Sequence, residues 1–289
     1  MNYLLAAGIT NLSYAVSDVV NGLILRRDSP LKVSVWVAIF ALGIFLVPML
    51  VFFQDELARL NLVNTLLMLS ISTLGLTAYF CFLTGMKRAG VTLTGVITGS
   101  FPAVATVAAL VFFGERISGP QGAAIAVIVV GVLLSSVQGE FRSLLRDIHQ
   151  SSLLWAFAAS LLFGLFFALV RIPVQRIGYF LPAYAGNLVG IPLYVLIARA
   201  FGERDVLKPP KLVLPIAAIA TVQIGATILY AYALTKGKTA IVAPIAGSYP
   251  AVFVVLAYFV LRERIRTIQY AGVVTTVAGI VGLSLLSSR

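Results

Sequence analysis

Asp18 is the residue whose type and setting most invite chemistry. Nine of the ten acidic residues fall in polar breaks or at the ends of apolar runs, but Asp18 lies inside the first run. A carboxylate at membrane depth costs at least a few kcal/mol, so it must face a cavity or hold a partner. Asn11, Tyr14, Asp18 and Asn21 follow one another at steps of three, four and three, which puts them on one helical stripe. Such a stripe can bind a polar or cationic group, or carry a proton. Alternatively, Asp18 sits near a helix end and pairs with Arg26 or Arg27. Gln223, Thr227 and Tyr230 form a second stripe at i, i+4 and i+7, and Asn187 is a further amide within an apolar run. Each buried amide needs another helix or a ligand as partner. The candidate binding residues are therefore Asp18, Asn11, Tyr14, Gln223, Thr227, Tyr230 and Asn187. Tyr79, Tyr230 and Tyr232 either close a cavity as aromatic lids or pack between helices.

Other chemistries lack their residues. One cysteine, Cys81, and one histidine, His149, leave no disulfide framework, no multi-Cys metal site and no nucleophilic triad. No metal or cofactor is expected, and no GxxxxGK[ST] run is present to bind ATP. The net charge of +11 is spread singly and in pairs at the ends of apolar runs. That pattern anchors helices at lipid headgroups and does not suit nucleic acid. The acids of Glu115–Arg116 and Glu263–Arg264 read as turn pairs at the membrane surface rather than as catalytic groups.

The composition states what must position these residues. The chain is 60% hydrophobic and only 11% charged, against about a quarter charged in soluble domains. An ordinary soluble enzyme and a disordered chain are both excluded. Ten apolar runs follow one another: Tyr3–Leu25, Val33–Phe53, Leu62–Met86, Val91–Phe113, Gly119–Val137, Ser152–Ile172, Phe180–Ala200, Leu212–Thr235, Thr239–Leu261 and Thr267–Leu286. Runs of this length in lipid satisfy their backbone only as helices. The first run follows Met1–Asn2 directly and does not read as a cleavable signal. The expected fold is an all-α membrane protein of ten transmembrane helices.

An internal repeat divides the runs five and five. Residues 99–131 and 247–279 align without gaps, with 14 identities in 33 positions, among them Pro102/Pro250 and Gln121/Gln269. The expected units are 1–137 and 151–289, joined by a linker at 138–150. Five spans per half is an odd number, so the second half must enter the membrane inverted. Inverted repeats support alternating access, because symmetry makes the two end states similar in energy. Within the repeat, Pro102 and Pro250 each remove a backbone donor in mid-span and free the carbonyls of Thr98 and Ala246. Gly99, Ser100 and Pro102, with Gly247, Ser248, Tyr249 and Pro250, are the candidate hinge or gate residues. Ser118 and Thr267 read as N-caps of the spans that follow.

The segments GSFPAVATVAALVFFGERIS and GSYPAVFVVLAYFVLRERIR, in two five-span halves, resemble the drug/metabolite transporter superfamily and, more narrowly, an EamA-type permease. The resemblance implies secondary transport of a small polar organic solute, such as an amino acid or related metabolite, with no enzymatic activity. It also implies a multi-pass protein of the cell membrane and a cavity between the halves, lined by the first, third, fourth, sixth, eighth and ninth spans. Its partners would be the solute, the lipid bilayer and protons or another coupling ion, with no nucleic acid. The chain would act as a monomer or homodimer. The family often carries a Trp-Gly pair in the first span, where this chain has Ser17–Asp18. A flippase for lipid or lipid-linked sugar on the same fold is the alternative, and an intramembrane lipid-modifying enzyme is a more distant one. The resemblance puts both termini in the cytoplasm. That places 7 of the 21 Lys and Arg residues on the cytoplasmic side, and the positive-inside rule favours the opposite orientation.

Overall fold

The computed structural model describes residues 1–24, 27–89, 91–137, 150–260, 262 and 265–288. Arg26, Glu263, Arg264 and the stretch 138–149 lie outside these residues. The described elements are all helical. The first half comprises α1 (Tyr3–Ile24), α2 (Pro30–Phe52), the short α3 (Gln54–Ala58), α4 (Leu62–Ala89), α5 (Val91–Thr98), α6 (Phe101–Phe113) and α7 (Gly119–Ser135). The second comprises α8 (Gln150–Leu169), α9 (Arg171–Arg176), α10 (Phe180–Ala200), α11 (Val213–Lys236), α12 (Thr239–Gly247), α13 (Tyr249–Val260) and α14 (Thr267–Ser287). Among the described residues, nine spans are long and apolar enough to cross a bilayer; α7, at 17 residues, is the shorter tenth. Helix starts follow local chemistry. Ser118 accepts from the Gln121 amide, and Gln121 accepts back from Ser118 at 2.9 Å. In the second half the cap moves one residue earlier than the sequence suggests: Thr267 is the first helical residue, and Gln269 bonds the Arg266 amide at 3.0 Å.

The bundle is apolar outside and small within. Phe52, Leu62, Val111, Leu214 and Phe259 are among the most exposed side chains, whereas Ala6, Ala7, Ala15, Ala78, Ala156, Ala159 and Ala246 are fully buried. Lipid rewards large apolar groups on the outside, and small residues inside let backbones approach closely. The closest approach is α7 against α14, where a Cβ on Gly272 would stand 2.7 Å from the Gly131 carbonyl. The packing pairs repeat under a shift of five spans. α1 lies along α11 as α8 lies along α4, and α1 meets α12 and α13 as α8 meets α5 and α6. The pairs α2–α10 and α7–α14 map onto themselves. This is the contact pattern of two inverted five-span repeats.

Alternating helix directions define two faces. The terminal face holds the chain ends and the loops near 53–61, 114–118, 177–179 and 237–238. There Tyr3 donates to the Ser287 carbonyl at 3.1 Å and Lys238 to the Arg116 carbonyl at 2.8 Å. The opposite, linker face holds Ser29 bonded to Glu203 at 2.5 Å and the Lys211 amide bonded to Asp28 at 3.0 Å.

The fourth and ninth spans are broken rather than kinked. α5 ends at Thr98 and α6 begins at Phe101, while α12 ends at Gly247 and α13 begins at Tyr249. At each break a serine hydroxyl turns back onto a carbonyl three residues earlier: Ser100 onto Ile97 at 2.7 Å and Ser248 onto Ile245 at 2.8 Å. That local bond competes with the helical ladder, and the proline removes the donor that would have restored it. Pro102 and Pro250 thus occupy the first turn of a new helix, where a missing N–H is tolerated. The first helix of the opposite half bridges each break. Asn11 of α1 donates to the Ile245 carbonyl at 2.7 Å and to Ser248 at 2.8 Å, and Ser160 of α8 bonds Ser100 at 2.8 Å. The two breaks also abut, since a Cβ on Gly247 would stand 2.8 Å from the Phe101 ring.

These bridges predict an asymmetry in stability. Asn11→Leu strips two acceptors of their donor and should cost about 1–2 kcal/mol, the upper end for hydrogen bonds between membrane helices. Ser160→Ala removes one bond and should cost about 0.5 kcal/mol. Unfolding of the purified protein in detergent measures both; an Asn11→Leu variant as stable as the parent would show that the bridge holds nothing.

Candidate functional site

Asp18 lies on α1 six residues before its linker-face end, about 9 Å along the axis. Its carboxylate takes a hydrogen bond from Asn21 and stands within electrostatic reach of Tyr14, Tyr79 and Tyr249. Among the described residues it forms no ion pair, and Arg27 does not reach it. Asp18, Tyr14, Tyr79, Tyr194 and Tyr249 are each partly buried.

The tyrosines come in two ring pairs. Tyr14 and Tyr249 have centroids 5.6 Å apart, and Tyr79 and Tyr194 have centroids 5.7 Å apart. Tyr14 and Tyr79 belong to the first half, Tyr194 and Tyr249 to the second. Proton directions follow from the neighbours. The Thr227 hydroxyl donates to the Gln223 carbonyl at 2.9 Å, so the 3.1 Å contact between Tyr14 and Thr227 has Tyr14 as donor. The Ser34 hydroxyl donates to the Pro30 carbonyl at 2.9 Å, so Tyr79 donates to Ser34 at 3.1 Å. Neither tyrosine hydroxyl is therefore free to donate to Asp18.

The structure distributes the sequence candidates over several roles. Asp18, Tyr14 and Thr227 come together. Gln223 belongs with them by register: α1 and α11 run antiparallel, Tyr14 meets Thr227, and one turn further toward the linker face lie Asp18 and Gln223. Asn11 sits on the same stripe but bridges the α12–α13 break. Asn187 donates to the carbonyl of Tyr184 on its own helix at 3.2 Å. Tyr230, 3% exposed, donates to the Phe167 carbonyl at 2.6 Å and packs on the Phe167 ring, which also meets Phe101 at 4.8 Å and Phe166 at 5.6 Å. The Tyr230, Phe167 and Phe101 rings form an aromatic floor on the terminal side. Gly99, Ser100, Pro102, Gly247, Ser248 and Pro250 stand at the breaks, whereas Tyr249 at the start of α13 also packs on Tyr14. Tyr194 was not among the sequence candidates, although it stands seven residues after Asn187 on one face of α10.

Below the floor a polar latch closes the terminal face. Glu115 accepts from the Thr239 and Ala240 amides at 2.8 Å each, capping α12, and forms an ion pair with Arg171. Arg171 also donates to the Thr239 hydroxyl at 3.2 Å and lies over the Phe113 ring. Adjacent residues in a turn do not face each other, so Glu115 takes Arg171 of the opposite half as its partner instead of Arg116. Glu56, 6% exposed, caps α10 in the same way, accepting from the Leu181 amide at 2.6 Å. A separate cleft of about 480 Å³ opens beside Glu56, Arg59, Gln175 and Tyr179. Burial, then the Glu56 carboxylate, pushes the Tyr179 hydroxyl above its usual range. Because the cap already engages Glu56, this cleft lacks a free ionisable group at depth.

Comparison with known proteins agrees with this architecture. Residues 1–137 and 150–285 match the EamA-like transporter family, one match in each half. The chain is 35% identical over 99 residues to an uncharacterized protein, MJ1333.1, of Methanocaldococcus jannaschii, covering 34% of this chain and 72% of that one. A solved crystal structure superposes with a TM-score of 0.71 at 14% identity, covering 99% of this chain and 96% of the other, which is a likeness of fold. With two matched halves and an interrupted helix in each, the chain is a multi-pass membrane protein and belongs to the EamA-like transporter family.

Proposed function

We propose that the chain is a secondary transporter of a small polar organic solute across the cell membrane, working by alternating access without enzymatic turnover. The observation that carries this reading is the position of Asp18. A carboxylate with no ion-pair partner among the described residues lies inside the first span, within reach of tyrosines from both halves. Maintaining it there costs free energy that packing does not return, so a solute or proton is its natural partner. Coupling would be to an ion gradient, with the proton as first candidate.

In this arrangement the terminal side is sealed twice, by the Tyr230–Phe167–Phe101 floor and by the Glu115–Arg171 latch. The abutting breaks supply the joints. Each half-helix can swing about its serine turn without losing ladder hydrogen bonds, because those bonds are already absent. Repeat symmetry then makes a state sealed at the linker face comparable in energy. The proton or solute on Asp18 selects between them by differential affinity.

Two variants test the reading in proteoliposomes. Asp18→Asn should lower flux by at least about tenfold with folding intact, since it removes the one charge the site offers. Equal flux in parent and variant across acid and neutral pH would remove Asp18 from the mechanism. Glu115→Gln weakens a cap typically contributing about 0.5–2 kcal/mol. A cysteine replacing Thr227, in a Cys81→Ser background, should then react from the terminal face about 2- to 30-fold faster. An unchanged rate would mean that the latch does not govern access.

A further inference from the structure

We infer that the cleft beside Glu56 holds the headgroup of an ethanolamine phospholipid, with the phosphate on Arg59 and Gln175 and the ammonium on Asp55. The inference is independent of the transport reading and of Asp18. The cleft, about 480 Å³, lies at the terminal face, between the end of α2 with α3 and the ends of α9 and α11. α2 is a membrane span that ends at Phe52, so the cleft stands at the level of the lipid headgroups. Its lip is apolar: Phe52 lines it and is 76% exposed. Toward the bilayer centre, Gly43, Val47 and Val51 continue as an exposed stripe on α2, and a Cβ on Gly43 would meet nothing within 4 Å. Such a stripe suits an acyl chain and offers nothing to a soluble solute.

The polar groups of the cleft discriminate among headgroups. Arg59 donates from Nη1 to the Ile177 carbonyl at 3.2 Å, which fixes the guanidinium and leaves its other donors. The hydrogen-bond network turns the Gln175 amide oxygen toward Arg171, at 2.8 and 3.1 Å, so the Gln175 NH2 group remains as a further donor. Both residues line the cleft, and both suit phosphate oxygens. Asp55 stands one turn before Arg59 and lines the same cleft. Among the described residues it forms no ion pair, with Arg59 or any other cation. Glu56 is engaged by the Phe180 and Leu181 amides. Asp55 and Glu56 thus stand against Arg59 alone, and a purely anionic headgroup meets an excess of negative charge there, although the chain as a whole carries +11. A zwitterion meets both signs. The Asp55 carboxylate calls for a hydrogen-bond donor, which an ammonium group has and a trimethylammonium group lacks. The neighbouring rings are fixed as walls: Phe53 stacks on Phe180 at 4.2 Å, and Tyr179 meets Tyr232 edge-on at 5.4 Å.

The test titrates the purified full chain in detergent with phosphatidylethanolamine, phosphatidylglycerol and phosphatidylcholine of identical acyl chains, and reads bound lipid by native mass spectrometry. Phosphatidylethanolamine should bind about two- to fivefold more tightly than either of the others, the range of one exposed charge pair. Arg59→Gln should weaken all three, because each carries the phosphate. Asp55→Asn should remove the preference for ethanolamine, and Asp55→Lys should reverse it in favour of phosphatidylglycerol. Both side chains are exposed, so the variants should melt as the parent does. Glycerophosphoethanolamine, the headgroup without its chains, should bind at least about tenfold more weakly than the lipid. Equal affinity would make the cleft a solute site and overturn the lipid assignment. Phosphatidylglycerol or phosphatidylcholine binding the parent as tightly as phosphatidylethanolamine would also overturn the inference. So would a ranking unchanged in Asp55→Lys, which would place the lipid elsewhere on the chain, or no retained phosphatidylethanolamine.

Discussion

Hydrocarbon holds no water, so a polar group inside the membrane must find its partner within the protein. Most features of this chain follow from that constraint. Backbone groups pair within helices, and threonine and serine hydroxyls bond their own preceding turns, as at Thr73, Thr77 and Thr276. Large apolar groups turn outward and alanines inward. The places where the ladder stops are the places where side chains intervene. Ser100 and Ser248 stop it in the two broken spans, and Asn11 and Ser160 hold those stops from across the repeat boundary. Among the described residues the buried hydroxyls of Ser17, Thr84, Thr94 and Thr98 lack a hydrogen-bond partner, and Asp18 has no ion-pair partner.

The two halves are locked to each other by the same groups that break their helices. Asn11 belongs to the first half and holds the break of the second. Ser160 belongs to the second half and holds the break of the first. Glu115 and Arg171 repeat the theme at the terminal face. Each half thus completes its polar bonding with groups of the other, so a change at one break is felt in the opposite half. The two bridges are chemically unequal: the amide of Asn11 serves two acceptors and the hydroxyl of Ser160 serves one. The α12–α13 break is held more firmly than the α5–α6 break, although the repeat relates them.

The spans, the repeat and the odd parity were legible in the sequence, because twenty-residue apolar runs have one solution in lipid and the GS-aromatic-P segments align without gaps. Asp18 was legible for the same reason that it is costly. The division of labour along its stripe was not. Periodicity places Asn11, Tyr14 and Asp18 on one face but does not say that the face meets a helix break at Asn11 and Thr227 of α11 at Tyr14. The prolines marked hinge or gate positions, and the structure interrupts both helices there, because the effect of a proline depends on the serine two residues before it. The capping role of Glu115 was hidden by its neighbour: Arg116 is adjacent in sequence, but Arg171 is adjacent in space. Tyr194 was legible only through Tyr184 and Asn187, which stand on the same face of α10 at steps of three and seven.

The central claim is that the two faces of the bundle open in alternation. Distance measurements between spin labels test it most directly, with one pair across the terminal face at Arg116 and Arg176 and another across the linker face at Arg27 and Arg266. The account predicts two distance populations at each face, with the short terminal distance accompanying the long linker distance and the reverse. Conditions that lengthen one pair should shorten the other. A single population at both faces, or pairs that widen together, would contradict it.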